Sequence, residues 1–196
     1  MATRTLTVHP AVTSRATVLR LVLAVGFAAA TAAAAQIRIP LPFTPVPITG
    51  QTAVVLLSGA ALGARWGTFS MGLYLLAGAL GLPWIFSGDE AGLAPLLGAT
   101  GGYLLGFALV PPLVGRALPP GSGAARASLV MLAASGVILL WGMLQLAVVL
   151  RLPLGRAFAM GVAPFLVGDV VKVAIAALAF RAGRPWIARV RRTPTG

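Results

Sequence analysis

Cysteine is absent from this chain, which excludes disulfides, thiol nucleophiles and cysteine metal sites. Histidine occurs once, as His9 in a polar N-terminal tail, where solvation is a far commoner fate than metal ligation or base catalysis. There are three acids, Asp89, Glu90 and Asp169, and Asp169 alone falls inside an apolar run. A metal cluster and a catalytic pair of interior carboxylates are therefore excluded. No GK[ST] sequence follows a glycine-rich loop, so the chain carries no nucleotide-binding P-loop. Charge as a whole is scarce: 9% of residues are charged and 59% are hydrophobic, against roughly 25% charged in an ordinary soluble domain. That composition predicts an all-α polytopic membrane protein, and the question becomes how many spans of about 20 residues fit.

Six fit: Val18 to Gln36, Ile48 to Gly63, Trp66 to Leu82, Gly98 to Arg116, Ser128 to Leu150 and Met160 to Arg181. Residues 1–17 then form an N-terminal tail, 18–182 the membrane domain and 183–196 a basic C-terminal tail. The second and third spans are short and separated by Gly63-Ala-Arg65 alone, which predicts a tight helical hairpin. The net charge of +12 invites comparison with nucleic-acid binders, but position argues against nucleic acid. With the N-terminus cytoplasmic, Arg4, Arg15, Arg20, Arg65, Arg116, Arg126, Arg181, Arg184, Arg189, Arg191 and Arg192 all fall on the cytoplasmic side, and Arg38, Arg151 and Arg156 outside. This is the positive-inside bias, and it places both termini in the cytoplasm of a multi-pass cell-membrane protein. The first span imitates a secretory signal through Arg20, its apolar run and Ala33-Ala-Ala-Gln36. Cleavage there would leave five spans and spoil the arginine asymmetry.

The loops carry their own signals. Between the first two spans, Arg38 to Gly50 holds Pro40, Pro42, Pro45 and Pro47, and alternating prolines predict a stiff, extended or polyproline II connection. With Phe43 and Thr44 it is either a connector or a cover over a ligand site. The loop Pro83 to Pro95 leads into Gly98-Ala-Thr-Gly-Gly-Tyr-Leu-Leu-Gly106, where small residues allow close helix approach and bare backbone N–H groups at a helix start offer contacts to a ligand. In the first span Ala24, Ala28 and Ala32 recur every four residues. Such a stripe packs helices within the chain or docks another membrane subunit.

Asp169 and Lys172 are the sharpest feature. They sit in Pro164-Phe-Leu-Val-Gly-Asp-Val-Val-Lys172, inside a segment otherwise apolar enough to cross a bilayer. Three residues apart on a helix, they share a face and reach each other or a common ligand. Ionisable residues inside a membrane are costly and mark function by default. A purely structural ion pair is the alternative, although buried pairs stabilise poorly compared with apolar packing.

The combination of Pro42-Phe-Thr-Pro-Val-Pro-Ile-Thr-Gly-Gln-Thr52, Gly98-Ala-Thr-Gly-Gly-Tyr103 and Pro164 to Lys172 resembles the BioY family, the substrate-binding subunits of biotin transporters of the energy-coupling factor class. The resemblance runs over roughly residues 18 to 182. It implies the six-helix S-component fold, a vitamin pocket near the outer face, a transmembrane coupling protein and two cytoplasmic ATPase subunits as partners, and no cofactor, biotin being the transported substrate. Three departures stand out: Ala99 where the family usually has proline, Val167 where it often has another, and Asp89-Glu90 where related chains are mostly neutral.

Biotin suits these residues. Its ureido ring has two N–H donors, its sulfur ring is apolar and its chain ends in a carboxylate. Asp169 is expected to accept from the ureido group and Lys172 to neutralise an acid or hold Asp169 charged. With Pro164 in the first helical turn, Asp169 would lie about 8 Å below the outer helix end at ~1.5 Å per residue. Gln51, Thr52, Thr100 and Tyr103 start at the same level and are expected to converge there, with Phe43, Trp84 and Phe86 as candidate walls for the sulfur ring. Competing readings are an S component for another small vitamin, an intramembrane enzyme with Asp169 as base, and a channel or scaffold subunit. Homo-oligomers and lipid contacts stay open.

Overall fold

Proline is favoured at the first position of a helix, and Pro10 opens α1 (Pro10–Gln36), an alanine-rich helix that starts eight residues before the expected span. The computed structural model describes residues 10–88 and 90–192, with side chains from 15 to 191; Arg4, His9 and Asp89 lie outside the described residues.

The Arg38 to Gly50 connection departs from an all-α fold. Strands β1 (Arg38–Leu41) and β2 (Thr44–Thr49) form an antiparallel ribbon with Arg38 opposite Thr49, Ile39 opposite Ile48 and Leu41 opposite Thr44, irregular across Pro40. Both strands are edges, so the outward positions need no N–H and prolines are tolerated.

Helix α2 (Gln51–Ala79) contains both short spans. Gly63 breaks it, with φ 79° and ψ 179°, a conformation that an L side chain rarely adopts. Beyond the break the chain turns back: Gln51 Nε2 donates to Tyr74 Oη at 2.5 Å, although 23 residues of straight helix would hold them about 35 Å apart. The expected helical hairpin is therefore present.

After the short helix α3 (Ala94–Leu97) come α4 (Gly101–Ala117) and α5 (Ala124–Val149), close to the fourth and fifth expected spans. A Cβ on Gly102 would collide with the carbonyl of Trp141, so glycine there sets how near α4 can come to α5. The sixth span divides. Helix α6 (Leu154–Gly161) and a 3-10 turn at Ala163–Phe165 precede α7 (Leu166–Ala182), so Pro164 lies in the turn rather than in the helix. Three stretches are long and apolar enough to cross a membrane by length and composition: Arg15–Gln36, Ala124–Val149 and Leu154–Ala182.

Helix α2 packs against α1 and α4, α4 against α5, and α5 against α7, around a core that includes Leu56, Met71, Tyr74, Val110, Val114 and Phe180. The alanine stripe faces that core. Ala24 is fully buried and its carbonyl accepts from Ser70 Oγ at 2.7 Å, while Ala28 and Ala32 are half-buried against the core cluster. The outward face of α1 instead carries Val18, Leu21, Val22 and Val25.

The expected basic tail contributes α8 (Arg184–Arg192), which buries Ile187 and Val190. Arg20 donates twice to the Val190 carbonyl, and Arg191 donates to the carbonyls of Ala60, Gly115 and Leu118. Desolvation lowers the Arg191 pKa from its ordinary value, yet a guanidinium stays protonated in proteins. One end of the bundle is thus tied by arginines. The ribbon, the 83–95 loop and the start of α7 gather at the other.

Candidate functional site

Asp169 lies in the first turn of α7, where a helix N-terminus favours an anion. It is only 4% exposed, and both its oxygens are engaged. Lys172 Nζ donates to Oδ1 at 2.8 Å, as the three-residue spacing predicts, and Ser135 Oγ on α5 donates to Oδ2 at 2.5 Å. A buried charge is tolerated when it is paired and hydrogen-bonded. Because α7 starts at Leu166, Asp169 is about 4.5 Å along the helix at ~1.5 Å per residue, shallower than expected.

Above the pair is a cavity of about 60 Å³. Gln51 and Thr52 from α2, Thr100 and Tyr103 from α4, and Asp169 and Lys172 from α7 all line it. Its apolar walls are Leu104, Phe107, Ile138, Leu139 and Phe165, and its roof comes from Val46, Pro47 and Thr49 of the ribbon with Phe86 and Ser87. A larger hollow of about 590 Å³ adjoins it, lined by Arg38, Thr44, Glu90 and others and sharing Pro47, Ser87 and Thr100 with the inner cavity.

Most of the polar groups around the cavity already have partners. Gln51 accepts from Thr49 Oγ1 at 2.9 Å while donating to Tyr74. Tyr103 Oη donates to the Gly161 carbonyl at 2.6 Å, and Thr100 Oγ1 to that of Pro95 at 3.1 Å. The ionised pair is what remains to confront a ligand with charge. A carboxylate accepts from N–H donors and an ammonium donates to oxygen acceptors, so the site suits a small, mostly apolar molecule with a polar end. Among the described residues, no group of three or more His, Cys, Asp or Glu gathers to hold a metal.

Seven of the expected residues, Phe86 among them, therefore meet around one cavity, and two do not. Phe43 stands at the ribbon's turn, 56% exposed, and Trp84 is 79% exposed with a φ of 62°. Gln36 explains the second case: its amide donates to the carbonyls of Trp84 and Phe86, at 2.8 and 3.3 Å, and pins the loop with Trp84 outward. Phe86 is the aromatic that turns in, meeting Tyr74 edge-on at 5.5 Å in space that Gly78 leaves open. Ser135, Phe107, Ile138, Leu139 and Phe165 were not expected. Ser135 was visible as a hydroxyl inside an apolar span, but serine is common in membrane helices and gives no signal by itself.

A model of the BioY family matches residues 6–189. The chain belongs to the BioY family. It is 39% identical over 152 residues to the probable biotin transporter BioY of Pyrococcus horikoshii, covering 78% of this chain and 88% of that one. Identity to the biotin transporter BioY of Thermotoga maritima is 35% over 140 residues, 71% of this chain and 82% of the relative. Among solved structures, the S-component for biotin from an ECF-type ABC transporter superposes with a TM-score of 0.81 at 26% identity, covering 86% of this chain and 92% of that one. The S-component fold expected from the BioY resemblance is thereby matched.

Proposed function

We propose that this chain is the substrate-binding subunit of an energy-coupling factor transporter and that it captures biotin in the cavity at Asp169. The observation that carries the reading is a buried carboxylate–ammonium pair at the edge of an otherwise uncharged cavity, in a chain of the BioY family. Asp169 accepts from a ureido N–H group, the phenylalanines enclose the sulfur ring, and the carboxylate-bearing chain runs towards the outer hollow, where Arg38 supplies positive charge. Ligand pockets usually measure ~300–1,000 Å³, so about 60 Å³ is too small for biotin as the walls stand. The roof of ribbon and loop must lift to admit it. The helices beneath are held by close contacts such as Gly102 on Trp141 and have little room to give.

Six crossings complete the reading: α1, the two halves of α2, α4, α5 and α7, with the ribbon outside and α8 at the cytoplasmic face of the cell membrane. The arginine distribution supports this orientation. Energy is supplied by partners, a transmembrane coupling protein and two cytoplasmic ATPase subunits, because this sequence has no P-loop. The relatives named above are transporters, which removes the ground for an intramembrane enzyme.

Equilibrium titration of the purified chain with radiolabelled biotin, in competition with thiamine and riboflavin, tests the proposal. One biotin per chain, recovered unaltered and displaced by neither competitor, is expected. Absence of binding, or displacement by another vitamin, overturns it.

A further inference from the structure

Ser87, in the 83–95 loop, carries a hydroxyl oxygen that is buried and has no hydrogen-bond partner among the described residues. A buried polar group without a partner is destabilising and needs a reason. Its position supplies one. Three residues line both the inner cavity and the outer hollow: Pro47, Ser87 and Thr100. The proline side chain has no hydrogen-bonding group, and Thr100 Oγ1 already donates to the Pro95 carbonyl at 3.1 Å. At the neck between the two spaces, Ser87 therefore holds the uncommitted hydroxyl. We propose that Ser87 is a substrate-binding residue whose oxygen accepts from the ureido N–H that Asp169 does not reach, the one beside biotin's side chain. This rests on the biotin reading and deepens it.

The two N–H bonds of a five-membered cyclic urea diverge on either side of the carbonyl, so one carboxylate serves only one of them. The second needs its own acceptor, because a donor taken out of water and left unpaired costs affinity. Biotin's skeleton fixes the side on which it lies. One nitrogen, N3′, is bonded to the ring carbon next to the one that bears the carboxylate-bearing chain, and the other, N1′, lies on the far side. With the chain leaving through the neck and N1′–H on Asp169, N3′–H faces the neck, where Ser87 stands. A serine hydroxyl has two lone pairs and a proton that rotates, so it accepts from N3′–H and turns its own proton towards the outer hollow. The ligand thus supplies the partner that the empty protein lacks, and the closed loop is favoured over bound biotin more than over an empty cavity.

The rival reading is that Ser87 only shapes the loop, next to Gly88 with its φ of 105°. The two are separated by titrating biotin and N3′-methylbiotin into the purified parent and Ser87→Ala proteins, and by melting both proteins with and without saturating biotin. Loss of a hydrogen bond between neutral groups should weaken biotin binding by Ser87→Ala about fivefold. N3′-methylbiotin, which has no N–H at that position, should bind the two proteins equally, because the substitution and the methyl remove the same contact. Without ligand, Ser87→Ala should melt no lower than the parent, since it loses an unpaired hydroxyl, yet biotin should raise its Tm by less. If the added methyl prevents binding to either protein, the melting curves decide. Parental biotin affinity in Ser87→Ala, an equal loss for both ligands, or a lowered Tm of the empty protein with an unchanged increment from biotin overturns the inference. A parent that does not bind biotin overturns the functional reading itself, and this one with it.

Discussion

Replacing Arg191 with methionine should loosen the end of the bundle opposite the cavity without touching the cavity itself. The guanidinium donates to the carbonyls of Gly115 and Leu118, both at 2.6 Å, and of Ala60 at 3.2 Å. Gly115 lies in the last turn of α4, Leu118 caps that helix and Ala60 lies just before the Gly63 break. Carbonyls at a helix end have no partner within the helix. Hydrogen bonds to a charged group contribute about 1.5–3 kcal/mol each, but Arg191 is only partly buried and water replaces part of what is lost, so roughly 2–4 kcal/mol in total is expected. For a chain of this size each kcal/mol moves Tm by about 2–4 °C, which gives a fall on the order of 4–16 °C. Melting of the purified protein in detergent, followed by circular dichroism, measures it. Arg191→Lys, which retains the charge but not the fork, should fall between. A Tm within a degree of the parent refutes the reasoning, and so does a loss of biotin affinity in a protein that still folds.

Lys172→Met leaves Asp169 with Ser135 as its remaining protein donor, and breaking a buried pair costs ~3–5 kcal/mol. Titration of folded Lys172→Met protein should show biotin bound at least tenfold more weakly; unchanged affinity would remove Lys172 from the site. Reporter fusions after Arg192 and within residues 119–126 should report cytoplasm, and fusions at the tip of the ribbon the outside, because the positive residues concentrate at the first two places. The reverse pattern would sink the six-crossing topology.

The helices of this protein were legible wherever an apolar run ended in glycine, proline or arginine. The hairpin within α2 was readable from three residues, because nothing but Gly63-Ala-Arg65 separates two apolar runs too short to be spaced otherwise. The ribbon is extended, as one of the two expected geometries was, but its pairing into two strands was not legible. Alternating prolines remove every second donor, which suggests polyproline geometry, yet a two-stranded ribbon needs only every second N–H and can satisfy itself with the rest. The charged pair and the polar residues at the starts of α2 and α4 could be placed together because membrane helices of similar length bring their ends to common levels. The aromatics could not. Whether Trp84 or Phe86 turns inward depends on the Gln36 amide and on the missing side chain of Gly78, contacts between segments that local sequence does not encode. The alanine stripe showed the limit of a periodic pattern, since small residues suit both an internal and an external neighbour.

Biotin titration of Asp169→Asn beside the parent tests the central claim most directly. The amide keeps the shape but presents donors as well as an acceptor where a ureido N–H group would lie, a mismatch worth a few kcal/mol in a buried site. At ~1.4 kcal/mol per factor of ten, binding should weaken by about two orders of magnitude. Folded Asp169→Asn protein that binds biotin as tightly as the parent contradicts the account and leaves the carboxylate a structural group.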